Sequence, residues 1–282
     1  MFDVLDVIVT LLTLLLVICC GRLVFLRARW LGGETPERQT ARRWLTIGLA
    51  AIAVAFLFWL PRVDTAVDPW LADRLGWANL SDLSHILLTL LAWWVLGFLG
   101  LHVLKRNSPL DEIFHDWLSR HERARRFVRM MSHDRRPDLA RLIWGGLNLV
   151  AAVAVVVLFG LSDLTETEVD NMVQLNDAGT HTLGMMYGAW AFLGGVLVVT
   201  AAAVNLQAPG ARRPAVLMML AIGMCGVGYT LTVAAVVAIS GTDALGAHSV
   251  GIMGVWAIPG LALLSVSGGY GLVALARQRA AR

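Results

Sequence analysis

The sequence predicts an all-α integral membrane protein: a seven-transmembrane-helix bundle with its N-terminus outside and its C-terminus cytoplasmic. Three observations carry that reading. Of 282 residues, 57% are hydrophobic and 15% charged, whereas a soluble domain is roughly 45–50% apolar and about 25% charged. The excess apolar residues fall in separate stretches, most of them about 20 residues long, the length that crosses a bilayer as a helix. The basic residues fall almost entirely on alternate connecting segments. Together these exclude an ordinary soluble enzyme, a disordered chain and a nucleic-acid-binding module.

The spans are expected at about 4–26, 44–60, 83–104, 141–161, 180–204, 215–239 and 249–275. The first has an acidic head, Asp3 and Asp6, and runs into Cys19-Cys20-Gly21-Arg22 without a small-x-small cleavage site. It reads as a retained helix, because a secretory leader has a basic head. The second is short and closed by Pro61. The fourth contains the β-branched series from Val153 to Val157, which lipid still forces into a helix because the backbone has no other partner there. Cys19, Cys20 and Cys225 all lie inside apolar stretches, at no metal-binding spacing, and read as small packing or lipid-facing residues.

Orientation follows from the arginines. The segments after spans one, three, five and seven hold 21 of the 23 basic residues, and the opposite side holds Arg62 and Arg74. Acidic residues divide 8 to 12 in the other sense. This positive-inside pattern places the basic segments in the cytoplasm. It requires an odd number of spans, and the plasma membrane is the expected location. The net charge of +3 needs no acidic partner to explain it.

The connecting segments differ. Outside, 61–82 reads as a loop with Trp70 and Trp77 at headgroup level, 162–179 is acidic and polar, and 240–247 is short. Inside, Ser108-Pro109-Leu110-Asp111 has a helix-start pattern. The apolar residues from Leu110 to Met131 then recur at helical spacing, with Arg120, Arg123, Arg125, Arg126 and Arg129 on the rest. An amphipathic helix over about 108–131 is expected to lie on anionic lipid headgroups of the inner leaflet, to pack on the bundle, or to meet a cytoplasmic protein.

The residues that could carry chemistry are few. Retinal is excluded, since the sole lysine is Lys105 and the last span has none. His85, His181 and His248 each fall near the outer end of a span and could hold Zn²⁺ with a nearby carboxylate; capping or water contact is the simpler reading. Ser81 to His85 has a Ser-x-x-x-His spacing similar to that of membrane zinc hydrolases of the adiponectin-receptor and alkaline-ceramidase type. Those also carry a His-x-x-x-His in the last span, where Ile252 follows His248 here. No Asp, Glu, Lys or Arg falls in mid-span, which argues against ion-coupled transport. Milder polar groups do: Asn148, Tyr187, Thr200, Tyr229, Thr230, Thr232, Ser265 and Ser267. A kink at Pro259, with Tyr229 and Asn148, marks a possible solute path. The glycines of spans five to seven let backbones approach, within the chain or across a homodimer. No cofactor is expected.

One stretch resembles a family. Pro61, Leu75-Gly76, Asn79-Leu80 and His85 are similar to the second outer segment and third span of actinobacterial seven-span proteins classed as transporters. That resemblance implies transport and supplies no substrate or site residue. Three functions stay open: a non-enzymatic sensory or scaffolding module, a small-solute transporter, and a zinc-dependent membrane enzyme.

Overall fold

The computed structural model describes residues 4–30, 36–58, 60–104, 116, 120–122, 139–166, 178–206, 213–241 and 252–280. Among these there are helices and turns and no strand. The helices are α1 (Val4–Trp30), α2 (Pro36–Phe58), α3 (Pro61–Leu75), α4 (Leu80–Leu104), α5 (Leu139–Leu161), α6 (Ala178–Val204), α7 (Arg213–Ser240) and α8 (Ile258–Ala280). A 3₁₀ turn, Asp163–Thr165, follows α5, and a π-helical segment, Met253–Ala257, leads into α8. Parts of α1, α4, α5, α6 and α7 are each long and apolar enough to cross a membrane. Two further apolar stretches, Arg43–Phe58 and Gly254–Ser267, are shorter. In α2 the polar opening Pro36–Arg43 takes up the first two turns. In α8 the π turn and the basic tail shorten the apolar run.

Neighbouring contacts fix the direction of each helix. Gly48 lies against Val95 and Gly97 against Trp144, so α2 and α5 both run antiparallel to α4. Gly194 meets Trp93 and Gly100 meets Ala201, so α4 and α6 are parallel. Gly195 faces Gly223 and Gly188 faces Thr230, so α7 runs back along α6. Cys225 meets Gly260, and Trp256 lies on Gly228, so α8 is antiparallel to α7. Cys20 Sγ lies 2.9 Å from Ser265 Oγ, and Leu23 touches Gly269, so α8 is parallel to α1. The helices α1, α2, α4, α6, α7 and α8 form a closed ring of neighbours, and α5 packs outside it against α4 and α6. One core cluster joins α1, α2, α4, α6, α7 and α8; a second joins α4, α5, α6 and the 3₁₀ turn.

Glycines receive indole rings in this packing. A Cβ at Gly226 or Gly194 would strike Trp93, one at Gly228 would strike Trp256, and one at Gly97 would strike Trp144. Between α6 and α7 the backbones themselves touch, with a Cβ at Gly223 falling 2.9 Å from the Gly195 carbonyl oxygen. Apolar side chains gain nothing by leaving lipid for one another, so close approach and dispersion hold such helices together.

Residues 61–75 are a helix where the sequence suggested a loop. Pro61 occupies the first turn, after Leu60 in an extended conformation. Proline suits that position because its missing N–H would be unpaired there anyway. Gly76 ends α3 in the left-handed region at φ 76°, its N–H donating to the Ala72 carbonyl. Asn79 is also left-handed, at φ 51°, and its Nδ2 donates to the Leu164 carbonyl at 2.8 Å. The Leu-Gly-x-x-Asn-Leu motif is thus the corner that ends α3, starts α4 and ties both to the 3₁₀ turn. Buried Asp68 completes the corner by accepting hydrogen bonds from the Ser81 amide and hydroxyl, each 2.7 Å, at the start of α4.

Candidate ligand cavity

The ring of helices surrounds a cavity of about 90 Å³, lined by α2, α4, α6, α7 and the π segment with α8. One water needs about 10–15 Å³ on this scale, so there is room for roughly half a dozen. Lining residues run from Leu45 to Phe56 on α2 and from His85 to Leu96 on α4. Each stretch covers about 16 Å at 1.5 Å per residue.

The helix directions sort the lining into two ends. Phe56, His85, Thr89, Tyr187 and Tyr229 share one end. Leu45, Leu49, Leu96, Ile222 and Leu264 share the other. Among the described residues no Asp, Glu, Lys or Arg lines the cavity.

The polar end is tightly built. His85 is buried, and its Nδ1 lies 2.8 Å from the Ala55 carbonyl. A carbonyl only accepts, so Nδ1 carries the proton, and a neutral ring keeps its lone pair on Nε2. The Phe56 ring meets the imidazole edge-on, and the Tyr187 ring lies 6.3 Å away, centroid to centroid. The Tyr187 phenol lies against the Thr89 hydroxyl, and Tyr229 lines the same end of the cavity. Thr89 is 5% exposed, and its Oγ1 makes no well-formed hydrogen bond among the described residues. Trp256 is oriented by donation from Nε1 to Thr232 Oγ1 at 2.9 Å.

No protein-family profile, curated protein or solved structure matches this chain.

The residues singled out from the sequence separate on this framework. Tyr229 lines the cavity. Pro259 is exposed, and its neighbour Gly260 lines the wall instead. Asn148 is buried away from the cavity: its Nδ2 donates to the Trp144 carbonyl and its Oδ1 accepts from Trp190 Nε1, both at 2.6 Å. Trp144 stacks on Trp190 at 5.8 Å and donates to the Trp94 carbonyl. Asn148 therefore locks α5 to α6, and Trp144 ties α5 to α4.

His181 stands in the first turn of α6, partly exposed, and His248 lies outside the described residues. Among the described residues no three His, Cys, Asp or Glu side chains are grouped to hold a metal. Exposed Arg120 pairs with Asp116 one turn away. Arg123, Arg125, Arg126 and Arg129, with most of the expected amphipathic helix, lie outside the described residues.

Sequence reasoning did not single out Thr89, Trp93, Gly226 or Trp256 as site residues. The sequence carries no signal for them; the structure supplies one. Thr200, Thr230 and Ser265 each bond a carbonyl one turn back, the usual way a helix satisfies a hydroxyl in lipid. Thr89 does not.

Proposed function

We propose that the chain is a seven-span plasma-membrane module that senses a small lipid-soluble molecule held in the cavity between α2, α4, α6, α7 and α8. The observation that carries the reading is the polar end of that cavity. A buried hydroxyl without a well-formed hydrogen bond costs about 1–3 kcal/mol, and an ionisable side chain such as His85 kept inside a membrane bundle marks a site of use. Thr89, beside His85 and Tyr187, fits a group completed by a ligand.

The alternating helix directions support the seven-span topology, with α1, α4, α6 and α8 running one way and α2, α5 and α7 the other. Under those directions Arg27, Arg29, Arg43, Arg141, Arg213 and Arg277 all fall at one end of the bundle, and Arg62 and Arg74 on α3 at the other. The positive-inside rule then makes the arginine-rich end cytoplasmic. The connection between α4 and α5, which carries Arg120, Arg123, Arg125, Arg126 and Arg129 in sequence, joins two helix ends on that side, and its basic charge suits inner-leaflet headgroups or a protein partner.

Native mass spectrometry of the protein in mild detergent tests the ligand reading. Wild type should carry a small bound molecule, and Ala92→Leu, which fills the cavity wall, should lose it while staying folded. Equal occupancy in the two, or none in wild type, would count against the proposal.

A second reading, small-solute transport, is favoured by the π-helical turn that brings Trp256 and Ala257 to the cavity just before Pro259. Such turns are frequent at functional sites. Counterflow of the bound molecule in proteoliposomes separates transport from sensing.

A further inference from the structure

The cavity lining constrains the class of occupant, given the reading of the cavity as a ligand site. With no Asp, Glu, Lys or Arg in the wall among the described residues, an ionic occupant would lose its water and meet no counter-charge, which is costly. The occupant is therefore uncharged.

The walls then divide it into a head and a tail. At the polar end, His85 spends its Nδ1–H on the Ala55 carbonyl; with no carboxylate among the described lining residues to hold a second proton on the ring, Nε2 is the acceptor. Beside it the buried Thr89 hydroxyl meets the Tyr187 phenol too loosely for a well-formed hydrogen bond among the described residues, so the pair can still take a ligand hydroxyl between them. A ligand hydroxyl can donate to the nitrogen and accept from a protein hydroxyl. Beyond this end the wall is hydrocarbon and indole: Leu49, Ile52, Trp93, Leu96, Ile222 and Leu264. Space for half a dozen waters holds a chain of about six carbons, since a methylene and a water displace similar volumes.

We infer that the cavity takes an uncharged, single-chain amphiphile, an alcohol of about six carbons, with its hydroxyl at His85, Thr89 and Tyr187 and its chain along Trp93 toward Leu96.

The test uses 6-bromo-1-hexanol and 1-bromohexane on the full-length protein in detergent, read by bromine quenching of tryptophan fluorescence and corrected for partition into the micelle. Trp93 and Trp256 report from the cavity wall. The alcohol should quench saturably and bind at least about tenfold tighter than the bromoalkane. A site that hydrogen-bonds a hydroxyl discriminates strongly against the analogue lacking it. Thr89→Val should remove most of that preference and Thr89→Ser should keep it. If both compounds bind saturably with equal affinity, or if Thr89→Val leaves the preference intact, the assigned headgroup contact is wrong while the cavity remains a ligand site. If neither compound quenches saturably, or if Ala92→Leu binds the alcohol as well as wild type does, the ligand cavity itself is refuted.

Discussion

The most exacting prediction concerns Gly226. A Cβ built there falls 2.3 Å from Trp93 Cη2 and 2.6 Å from Cζ2. Carbon atoms pack best at about 3.5–4.0 Å, so the indole would have to move by about 1.2 Å. It has little room, because Gly194 on α6 receives the other side of the same ring, where a Cβ would fall 2.8 Å from Cε3. Gly226→Ala therefore overpacks the contact between α4, α6 and α7, at a cost of about 1–3 kcal/mol. The substitution also changes helix propensity, by up to about 1 kcal/mol in the opposite sense. Gly184→Ala isolates that effect, since nothing lies within 4 Å of the new methyl there. The clash is thus the difference between the two variants, read as the fraction of protein surviving heating on size exclusion. Trp93→Phe deletes the two atoms that clash and should rescue Gly226→Ala, leaving the pair strongly non-additive. Equal melting of Gly226→Ala and Gly184→Ala, with no coupling to Trp93→Phe, would refute the Trp-in-glycine packing.

Asn148→Leu should cost about 1–2 kcal/mol, because it removes two hydrogen bonds of 2.6 Å and strands the Trp190 N–H. Ligand occupancy should stay unchanged, since Asn148 is not in the cavity wall; a lost ligand at undiminished thermal stability would put Asn148 on the binding path instead. For topology, a single cysteine at Asp163 in a cysteine-free background should react with a membrane-impermeant maleimide in intact cells, whereas one at Arg120 should react only after permeabilisation. The reverse pattern would invert the bundle.

The helices were legible because each satisfies a constraint written within one segment. A run such as Leu139–Leu161 leaves its backbone no alternative in lipid, and the arginines mark the same end whether or not the helices are seen to pack. Pro61 shows where local reading becomes ambiguous, because a proline suits the end of one helix and the first turn of the next equally well. The site was harder for a different reason. Its polar end combines His85 and Thr89 with Tyr187 and Tyr229, which come from three helices whose relative height is fixed by Gly194, Gly195, Gly223 and Gly226 meeting partners far away in sequence. From sequence alone, Asn148 and Thr89 are both polar residues inside an apolar helix. What separates them is that Asn148 makes two short hydrogen bonds, one of them to Trp190 on a neighbouring helix, whereas Thr89 faces the cavity with only the Tyr187 phenol beside it. The informative feature of a polar residue in such a bundle is therefore whether packing satisfies it, and that depends on helix register.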